Sequence, residues 1–226
     1  MTATAALRTA VVAGATGLVG TELVERLQRE AGFRRIVALS RRPGAGEGKL
    51  QFVHADYERL EQALRDVTTA DRPVHVFCCL GTTISRAGSE AAFRRVDHDY
   101  VLALGRWAKR VHAHRMIVIS ALGADPTSRV FYNRVKGETE RDLAALGLAS
   151  LVIVRPSLLA GDRKEFRLGE RLALVATRPL RAQIPASVRP IAASDVARAM
   201  LEAALADDPP RVIDSATMQG ADDRSA

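Results

Sequence analysis

Short apolar runs rich in β-branched residues alternate with longer amphipathic stretches along most of this chain. The apolar runs lack alternating polar positions, a pattern typical of strands that are covered on both faces of a parallel sheet. We predict six strands from these runs, namely Thr9–Gly14, Arg35–Ser40, Leu50–Ala55, Val74–Leu80, Met116–Ser120 and Leu151–Pro156. Residues 211–214 predict one more short strand.

The amphipathic stretches between the strands predict helices. Four of them are Leu18–Glu30, Glu58–Val67, Ser89–Val111 and Val130–Leu146. Strands that alternate with helices form βαβ units, so the predicted fold class is α/β with a doubly wound parallel sheet.

The alternation loosens after Pro156, where we predict a small C-terminal helical cap. A helix is expected near Phe166–Ala176, followed by an irregular segment rich in proline and arginine through Pro190. We expect residues 1–226 to form a single domain, in which residues 157–210 supply the cap and the substrate region.

The stretch "SDVARAMLEAAL" predicts a helix packed against the sheet, with Ser194 or Asp195 as its N-cap. Residues 218–226 follow as a predicted frayed tail.

The composition is that of an ordinary globular protein, with 226 residues that are 47% hydrophobic and 26% charged. No apolar run approaches the roughly 20 residues that cross a bilayer, and the N-terminus lacks a basic region before an apolar one. We therefore expect neither a membrane partner nor a signal peptide. The adjacent Cys78 and Cys79 lie in the apolar run "VHVFCCLG" and are interpreted as two buried thiols of a cytoplasmic protein.

The net charge of +7 raises the hypothesis of nucleic-acid binding. The basic residues are mostly arginines scattered in short pairs, and aromatic residues make up only 4% of the chain, too few for stacking platforms. We expect no nucleic-acid partner. The expected partner is a small-molecule substrate of unknown identity, bound by a monomer or a homodimer.

A glycine turn joins the first predicted strand to the first predicted helix. Gly14, Gly17 and Gly20 in "GATGLVG" occupy the context of a dinucleotide-binding fingerprint, with the spacing G-x-x-G-x-x-G. Gly14 permits a tight turn, Gly17 lets the backbone approach a pyrophosphate, and Gly20 lets the helix lie close to the sheet. The helix start favours phosphate charge.

The second predicted strand ends in "LSRRPG", without the acid that a ribose 2′-hydroxyl site needs. Arg41 and Arg42 stand there instead, and guanidinium groups bind a 2′-phosphate well. The predicted cofactor is therefore NADP(H).

Tyr132 and Lys136 lie four residues apart in "FYNRVKGETE", a spacing that puts both on one helix face. A lysine charge one turn from a tyrosine stabilises the phenolate, which suits the tyrosine to acid/base catalysis. Lys136 can also donate hydrogen bonds to ribose hydroxyls.

The motifs "GATGLVG", "SRRP", "CCLGTT", "YNRVKGE" and "VRPSLLAGDR" follow one another along the chain. Together they resemble an atypical short-chain dehydrogenase/reductase with a Rossmann domain, in the Tat-interacting-protein-like branch, which has many bacterial members. The resemblance runs over residues 8–205. It implies an NADP(H)-dependent oxidoreductase that reduces a small carbonyl-type substrate.

The resemblance also implies roles for the matching cofactor positions. The residues that would wrap the pyrophosphate are Gly14, Ala15, Thr16, Gly17, Leu18 and Val19, with Gly20 completing the turn. Ser40, Arg41 and Arg42 would hold the 2′-phosphate, and Asp56 in "HADY" would contact the adenine amino group. The residues that would line the path to the nicotinamide ribose are Leu80, Gly81 and Thr82.

The implied catalytic residues are Tyr132 as acid/base, Lys136 as its ribose-binding partner, and Ser120 at the end of the fifth strand. Pro156 and Ser157 would flank the nicotinamide. One position departs from the family pattern, because Ala121 stands where a second hydroxyl residue often polarises the carbonyl.

Several alternatives stay open at that position. Ser120 polarises the carbonyl from a shifted register, or Thr83 or Ser157 does so in its place. Otherwise no carbonyl is activated and the protein only binds NADP(H). The last alternative describes a sensor whose partner surface is made from residues 160–190. The short segment after Pro156 leaves little room for a nucleotide-sugar, which weakens an epimerase interpretation.

The histidines show no metal-ligand pattern. His98, His112 and His114 have no carboxylate or cysteine partners at ligand spacing, so we predict no metal site. His54 is interpreted as a buried strand histidine and Trp107 as a core residue.

Overall fold

The computed structural model of the protein describes residues 7–42, 44–65, 67, 73–160, 185 and 188–220. Its strands are β1 (Arg8–Ala13), β2 (Phe33–Ser40), β3 (Leu50–His54), β4 (Val74–Cys78), β5 (Arg115–Ile119), β6 (Leu151–Arg155), β7 (Leu159–Ala160), β8 (Ile191–Ala192) and β9 (Val212–Asp214). The main feature is a seven-stranded sheet in the order β3-β2-β1-β4-β5-β6-β9, in which every neighbouring pair is parallel. The predicted doubly wound α/β sheet is confirmed.

Helices cover both faces of this sheet. They are α1 (Leu18–Arg29), α2 (Leu60–Ala63), α3 (Ile84–Ala87), α4 (Glu90–Arg94), α5 (Tyr100–Arg110), α6 (Phe131–Ala145), α7 (Ala193–Leu205) and α8 (Ser215–Gln219). Tyr57–Arg59 forms a 3₁₀ turn before α2, so the helix predicted over Glu58–Val67 is shorter than expected.

The core consists of two apolar layers because successive side chains of each strand point to opposite faces. Ala10 and Val12 of β1 lie in a cluster with Leu23 of α1 and Met200 of α7. Val11 of the same strand lies in the other cluster, which contains Leu104 and Trp107 of α5 and Leu143 of α6. Trp107 is therefore a core residue, as predicted.

The helix α7 packs on α1 and the sheet, but its predicted cap is wrong. Its N-cap is Ala192, which offers no side-chain hydrogen bond, and both Ser194 and Asp195 lie inside the first turn. Asp195 instead lies 3.8 Å from a guanidinium nitrogen of Arg198 in the same helix.

The C-terminal end of α7 is held by Arg115, a buried residue at the start of β5. Its guanidinium donates to the carbonyl oxygens of Ala203 at 2.5 Å, Ala206 at 2.7 Å and Asp207 at 3.3 Å. Ala203 lies in the last turn of α7, whereas Ala206 and Asp207 follow its last residue. Arg115 therefore binds carbonyl oxygens at and just beyond the end of the helix.

The predicted frayed tail is wrong at its beginning. Asp214 accepts a hydrogen bond from the backbone N–H of Thr217 at 2.8 Å and so starts α8. Met218 in that helix is 1% exposed and joins the core. Residues 221–226 lie outside the described residues.

Two further expectations need correction. The single helix predicted over Ser89–Val111 is α4, a π-helical turn at Arg95–Asp99, and α5 in succession. His54 is exposed at the end of β3 and not buried.

The region predicted as a cap is described only in part. The short strands β7 and β8 form a parallel two-stranded sheet there. The helix predicted near Phe166–Ala176 lies outside the described residues, as does most of the segment proposed as a partner surface. Among the helices that are described, none is long and apolar enough to span a membrane.

Candidate active site

Most predicted site residues lie at or just after the carboxyl ends of β1 to β6, and Tyr132 and Lys136 lie on α6. In a parallel sheet these ends lie along one edge, where ligands of open α/β folds bind. The fold therefore brings to one edge the glycine turn after β1, the arginine pair after β2, and Ser120 after β5.

The turn after β1 requires glycine at its first position. Gly14 has φ +78°, a left-handed conformation that L side chains rarely adopt. A Cβ there would also lie 2.5 Å from the carbonyl oxygen of Cys79 at the end of β4. Gly14 thus lets the turn lie directly against the neighbouring strand.

Gly17 and Gly20 serve the start of α1 in different ways. A Cβ on Gly20 would lie 2.1 Å from the carbonyl oxygen of Gly14, so the helix can only meet the turn at a glycine. A Cβ on Gly17 would have one neighbour within 4 Å, the Gly14 oxygen at 3.3 Å. Gly17 is also the N-cap and, having no side chain, makes no cap hydrogen bond to the helix start. The first N–H groups of α1 are thus available to an anion.

Tyr57 supports the glycine turn through its hydroxyl, a role that was not predicted from the sequence. Its hydroxyl donates to the carbonyl oxygen of Leu39 at 3.2 Å and accepts from the backbone N–H of Gly14 at 3.4 Å. Burial raises the pKa of Tyr57 to about 12, so the hydroxyl stays protonated. The neighbouring Asp56 is exposed and accepts from the N–H of Glu58 at 3.0 Å, which starts the 3₁₀ turn.

The arginine pair lies at the end of β2. Arg41 and Arg42 are both exposed, and the buried Ser40 hydroxyl accepts a hydrogen bond from the Arg42 N–H at 3.1 Å. Ser40 therefore orders the backbone of the pair, and the two guanidinium groups face solvent near the glycine turn.

Tyr132 and Lys136 do not lie on a solvent-exposed surface. Tyr132 is half-buried, with its ring 5.4 Å from that of Phe93, and Lys136 is only 4% exposed. The Lys136 ammonium lies 2.8 Å from Oδ1 of Asp97, whose side chain is fully buried. Close packing at Gly137 holds this helix, because a Cβ there would lie 2.2 Å from the backbone of Asp125.

Asp97 connects the pair to the end of β4. Its Oδ2 accepts the backbone N–H of Thr82 at 2.9 Å, within the Leu80, Gly81 and Thr82 segment that was predicted to line the ribose path. The sequence reading missed Asp97. The available signal was a carboxylate on the buried helical stripe that also contains Phe93 and Val101.

The environment of Lys136 favours its charged form. Burial lowers the pKa of Lys136, but the Asp97 carboxylate and Tyr132 outweigh that cost, so the pKa lies above its ordinary value. Burial also raises the pKa of the nearby Cys78 thiol to about 11, which leaves Cys78 neutral. Both cysteines are free, with Cys78 buried and Cys79 half-buried.

Three hydroxyls were candidates to polarise a substrate carbonyl, and their surroundings differ. Thr83 accepts from the N–H of Arg86 at 3.2 Å and thereby caps α3. Ser157 donates to the carbonyl oxygen of Arg189 and accepts from Ser215 at 2.9 Å. The buried Ser120 hydroxyl has no hydrogen-bond partner within the described residues. Ser120 is thus the candidate that remains available.

The end of β6 is tied to the rest of the fold. Arg155 donates through Nε to Glu140 at 3.0 Å, and a second bond from the same guanidinium reaches the other carboxylate oxygen. This ion pair precedes Pro156, which is buried, and Ser157, which is half-buried. It anchors β6 to α6 two turns from Tyr132.

The residues present fit a dinucleotide cofactor. The fit rests on the uncapped start of α1 at Gly17, the exposed Arg41 and Arg42, and the unpartnered Ser120 hydroxyl. Within the described part of the chain, no group of three or more His, Cys, Asp or Glu side chains is arranged to hold a metal ion. His98 does contact two carboxylates, Asp99 at 2.7 Å and Asp142 at 2.9 Å.

The family model described as NAD(P)H-binding matches residues 14–208. Protein FMP52, mitochondrial, of Eremothecium gossypii is 34% identical over 163 residues, which are 71% of this chain and 70% of that protein. Protein HTATIP2 of Rattus norvegicus is 34% identical over 169 residues, 72% of this chain and 67% of that protein.

Solved structures share the fold at lower identity. MoeE5 in complex with UDP-glucuronic acid and NAD has a TM-score of 0.67 at 21% identity, covering 90% of this chain and 74% of that one. The UDP-glucose 4-epimerase of Thermus thermophilus in complex with NAD has a TM-score of 0.65 at 19% identity, covering 92% and 77%.

These comparisons correct one expectation from the sequence. We predicted a cytoplasmic protein, whereas several of the similar fungal relatives are named as mitochondrial proteins. The prediction of a cytoplasmic location is therefore wrong. Two free thiols in an apolar run do not indicate which compartment contains a protein.

Proposed function

Because this chain belongs to the NAD(P)H-binding family, we propose that it is an NADP(H)-dependent oxidoreductase that reduces a small carbonyl-type substrate. The observation that carries the proposal is the burial of Lys136 beside Tyr132 at the edge of the sheet that holds the glycine turn. A buried ammonium is costly unless it is used or paired, and a tyrosine beside it is suited to acid/base work.

Each residue has a defined task in this reaction. The start of α1 at Gly17 and the guanidinium groups of Arg41 and Arg42 would hold NADPH, which would supply a hydride. Tyr132 gives the proton to the carbonyl oxygen, and the Lys136 charge stabilises the phenolate that results. Ser120 donates a hydrogen bond to the same oxygen, because its hydroxyl is buried and unpartnered in the described structure.

The proposed preference for NADP(H) over NAD(H) rests on Arg41 and Arg42. Both are exposed, and no ion pair to a described carboxylate involves either of them. Two guanidinium groups stabilise a 2′-phosphate through charge-assisted bonds, and the segment "LSRRPG" at the end of β2 has no acid to bind a 2′-hydroxyl. The NAD of the structural neighbours belongs to those proteins.

A second candidate is an NADP(H)-binding sensor without turnover. It is favoured by Ala121, which is 7% exposed and fills the position of the second hydroxyl that many short-chain dehydrogenases use. The unpartnered Ser120 hydroxyl argues for the enzyme instead, because a buried hydroxyl left without a partner costs stability unless a ligand uses it.

NADPH oxidation separates the two candidates. We expect the protein to consume NADPH with at least one member of a panel of aldehydes, ketones and quinones, and Ser120→Ala to slow that reaction while leaving NADPH affinity unchanged. Tight NADPH binding with no oxidation across the whole panel would favour the sensor.

A further inference from the structure

Asp97 is the least expected residue near the proposed site. It is 1% exposed, although it lies in the middle of a charged segment, "RRVDHDY". It belongs to the π-helical turn at Arg95–Asp99, which interrupts the helix that the sequence predicts there. Such turns are uncommon and occur frequently at functional sites.

The contacts of Asp97 join three elements. Its Oδ1 lies 2.8 Å from the Lys136 ammonium on α6, and its Oδ2 accepts the Thr82 N–H at the end of β4. Its backbone carbonyl oxygen accepts from the hydroxyl of Thr139 at 3.0 Å, one turn further along α6. A carboxylate without solvent contact thus has one oxygen in an ion pair and the other in a hydrogen bond.

Helix stability alone does not account for this arrangement. Replacing a buried ion pair with apolar residues is often neutral or stabilising, so such a pair is weak evidence for a stabilising role. A lysine ammonium has three N–H donors, more than one facing carboxylate oxygen can accept. A ribose hydroxyl and the phenol of Tyr132 are the further acceptors that the proposed function requires.

We propose that Asp97 is a positioning residue, whose carboxylate fixes the Lys136 ammonium and the Thr82 amide together and presents Lys136 as a charged donor to the cofactor's ribose. This inference rests on the proposed function, because it requires a cofactor at this edge of the sheet. Asp97 acts through Lys136 and does not itself touch the substrate.

The surroundings of Lys136 show why the carboxylate matters. The titratable groups that act on it are Asp97 from the π-helical turn, Tyr132 from its own helix, and Cys78 from β4. Cys78 is neutral below about pH 11. Without Asp97, the burial of Lys136 is opposed mainly by Tyr132, so the ammonium becomes easier to deprotonate.

The protonation of Lys136 can be read directly. The chain has only four lysines, so a carbon-13 label at lysine Cε gives few signals, and the Lys136 signal is identified by its loss in Lys136→Arg. In the parent protein we expect this signal not to titrate below pH 10.5, the ordinary lysine pKa. In Asp97→Asn, which preserves the side-chain shape and an acceptor for Thr82, we expect titration at lower pH.

The consequence for binding is measured by NADPH titration from about pH 7 to about pH 9.5, a range in which carboxylates and the 2′-phosphate stay ionised. The Kd of the parent should change less than about twofold, whereas that of Asp97→Asn should rise about tenfold as Lys136 loses its charge. Asp99→Asn is the matched control, because it removes an exposed carboxylate from the same turn and should behave as the parent. The pH dependence should disappear in Asp97→Asn/Lys136→Gln.

Each outcome decides the inference. If the parent binds NADPH and Asp97→Asn shows the same pH-independent Kd, the inference fails and the proposed function stands. If the parent does not bind NADPH, both fail. If Asp97→Asn does not fold, the parent's Lys136 signal still decides, because titration below pH 10.5 would show that Asp97 does not hold the charge.

Discussion

Two buried basic side chains lie at opposite ends of the sheet, and their surroundings differ. Arg115, at the amino end, is 3% exposed, and its guanidinium donates to several carbonyl oxygens at the end of α7. Lys136, at the carboxyl end, is 4% exposed, with its ammonium beside Asp97. Arg115 binds the end of a helix, whereas Lys136 is the residue that we propose donates to a ligand.

Buried polar groups without a partner among the described residues occur at both ends, and those at the amino end include Thr9 and His75. At the carboxyl end they include the Ser120 hydroxyl, and α1 starts there at Gly17, which has no side chain to cap it. A ligand at the carboxyl end would give the Ser120 hydroxyl the partner that a buried polar group needs. Equally buried side chains therefore need not have the same role. The partners of a buried charge help to distinguish a structural role from a role in ligand binding.

The largest effect is expected from Tyr132→Phe. The hydroxyl acts in the transition state, where acid–base catalysis contributes about 10²–10⁴-fold, so turnover should fall by that factor while NADPH affinity is kept. Steady-state kinetics beside a binding titration would measure both. Tyr100→Phe, which removes a hydroxyl bonded to Glu58, is the matched control. Parental turnover in Tyr132→Phe would refute the acid/base role.

Two substitutions in the glycine turn separate cofactor binding from stability at the carboxyl end of the sheet. Gly17→Val places a branched side chain where the pyrophosphate must approach, at an ordinary φ of −81°, so we expect a folded protein that has lost NADPH binding. Gly14→Ala meets the Cys79 carbonyl at 2.5 Å and should lower the melting temperature as well. Normal NADPH affinity in a folded Gly17→Val protein would place the cofactor elsewhere.

At the amino end, Arg115→Met should affect stability alone. The methionine keeps much of the apolar volume but leaves the carbonyls at the end of α7 without donors, at a cost of about 2–4 kcal/mol. Urea unfolding should report this loss, with NADPH affinity unchanged under native conditions. A variant of parental stability that binds NADPH poorly would overturn the contrast between the two ends.

The cofactor preference is expected to depend on Arg41 and Arg42. Replacing both with alanine removes charge-assisted bonds, each contributing about 1.5–3 kcal/mol, so NADPH affinity should fall tenfold or more. NADH affinity should change little. If the double variant keeps the parent's ratio of the two affinities, another group reads the 2′-phosphate.

A further effect concerns pH and His75, a buried histidine of β4. Burial lowers its pKa from 6.5 to about 3, so its contribution to stability is complete above pH 6.5 and is lost as pH falls toward 3. Unfolding free energies at pH 7 and pH 4 should differ less in His75→Leu than in the parent. The exposed His54→Leu serves as the control, and an equal pH dependence in all three proteins would contradict the assignment.

The strands of the seven-stranded sheet could be predicted within about two residues because most of them are short, buried apolar runs. The two-residue strands β7 and β8 were not predicted. The glycine turn could be predicted because its backbone geometry demands that residue type at Gly14. Those signals are local in the sequence.

The rest of the site depends on contacts between distant residues. Asp97 and Lys136 are 39 positions apart. The π-helical turn that contains Asp97 changes the hydrophobic period too little to be recognised in the sequence. The contact of Arg115 with the end of α7 is equally non-local, with partners 88 to 92 positions away. An arginine at a strand start and an acid in a helix both look ordinary in isolation.

The central claim, an NADP(H) site at the carboxyl end of the sheet, is tested most directly by calorimetric titration of the parent protein with NADPH and with NADH. We predict one NADPH bound per chain, with an affinity at least about tenfold higher than that for NADH, because guanidinium groups replace the acid of a 2′-hydroxyl site. Equal affinities for the two cofactors, or no heat of binding from either, would contradict the account.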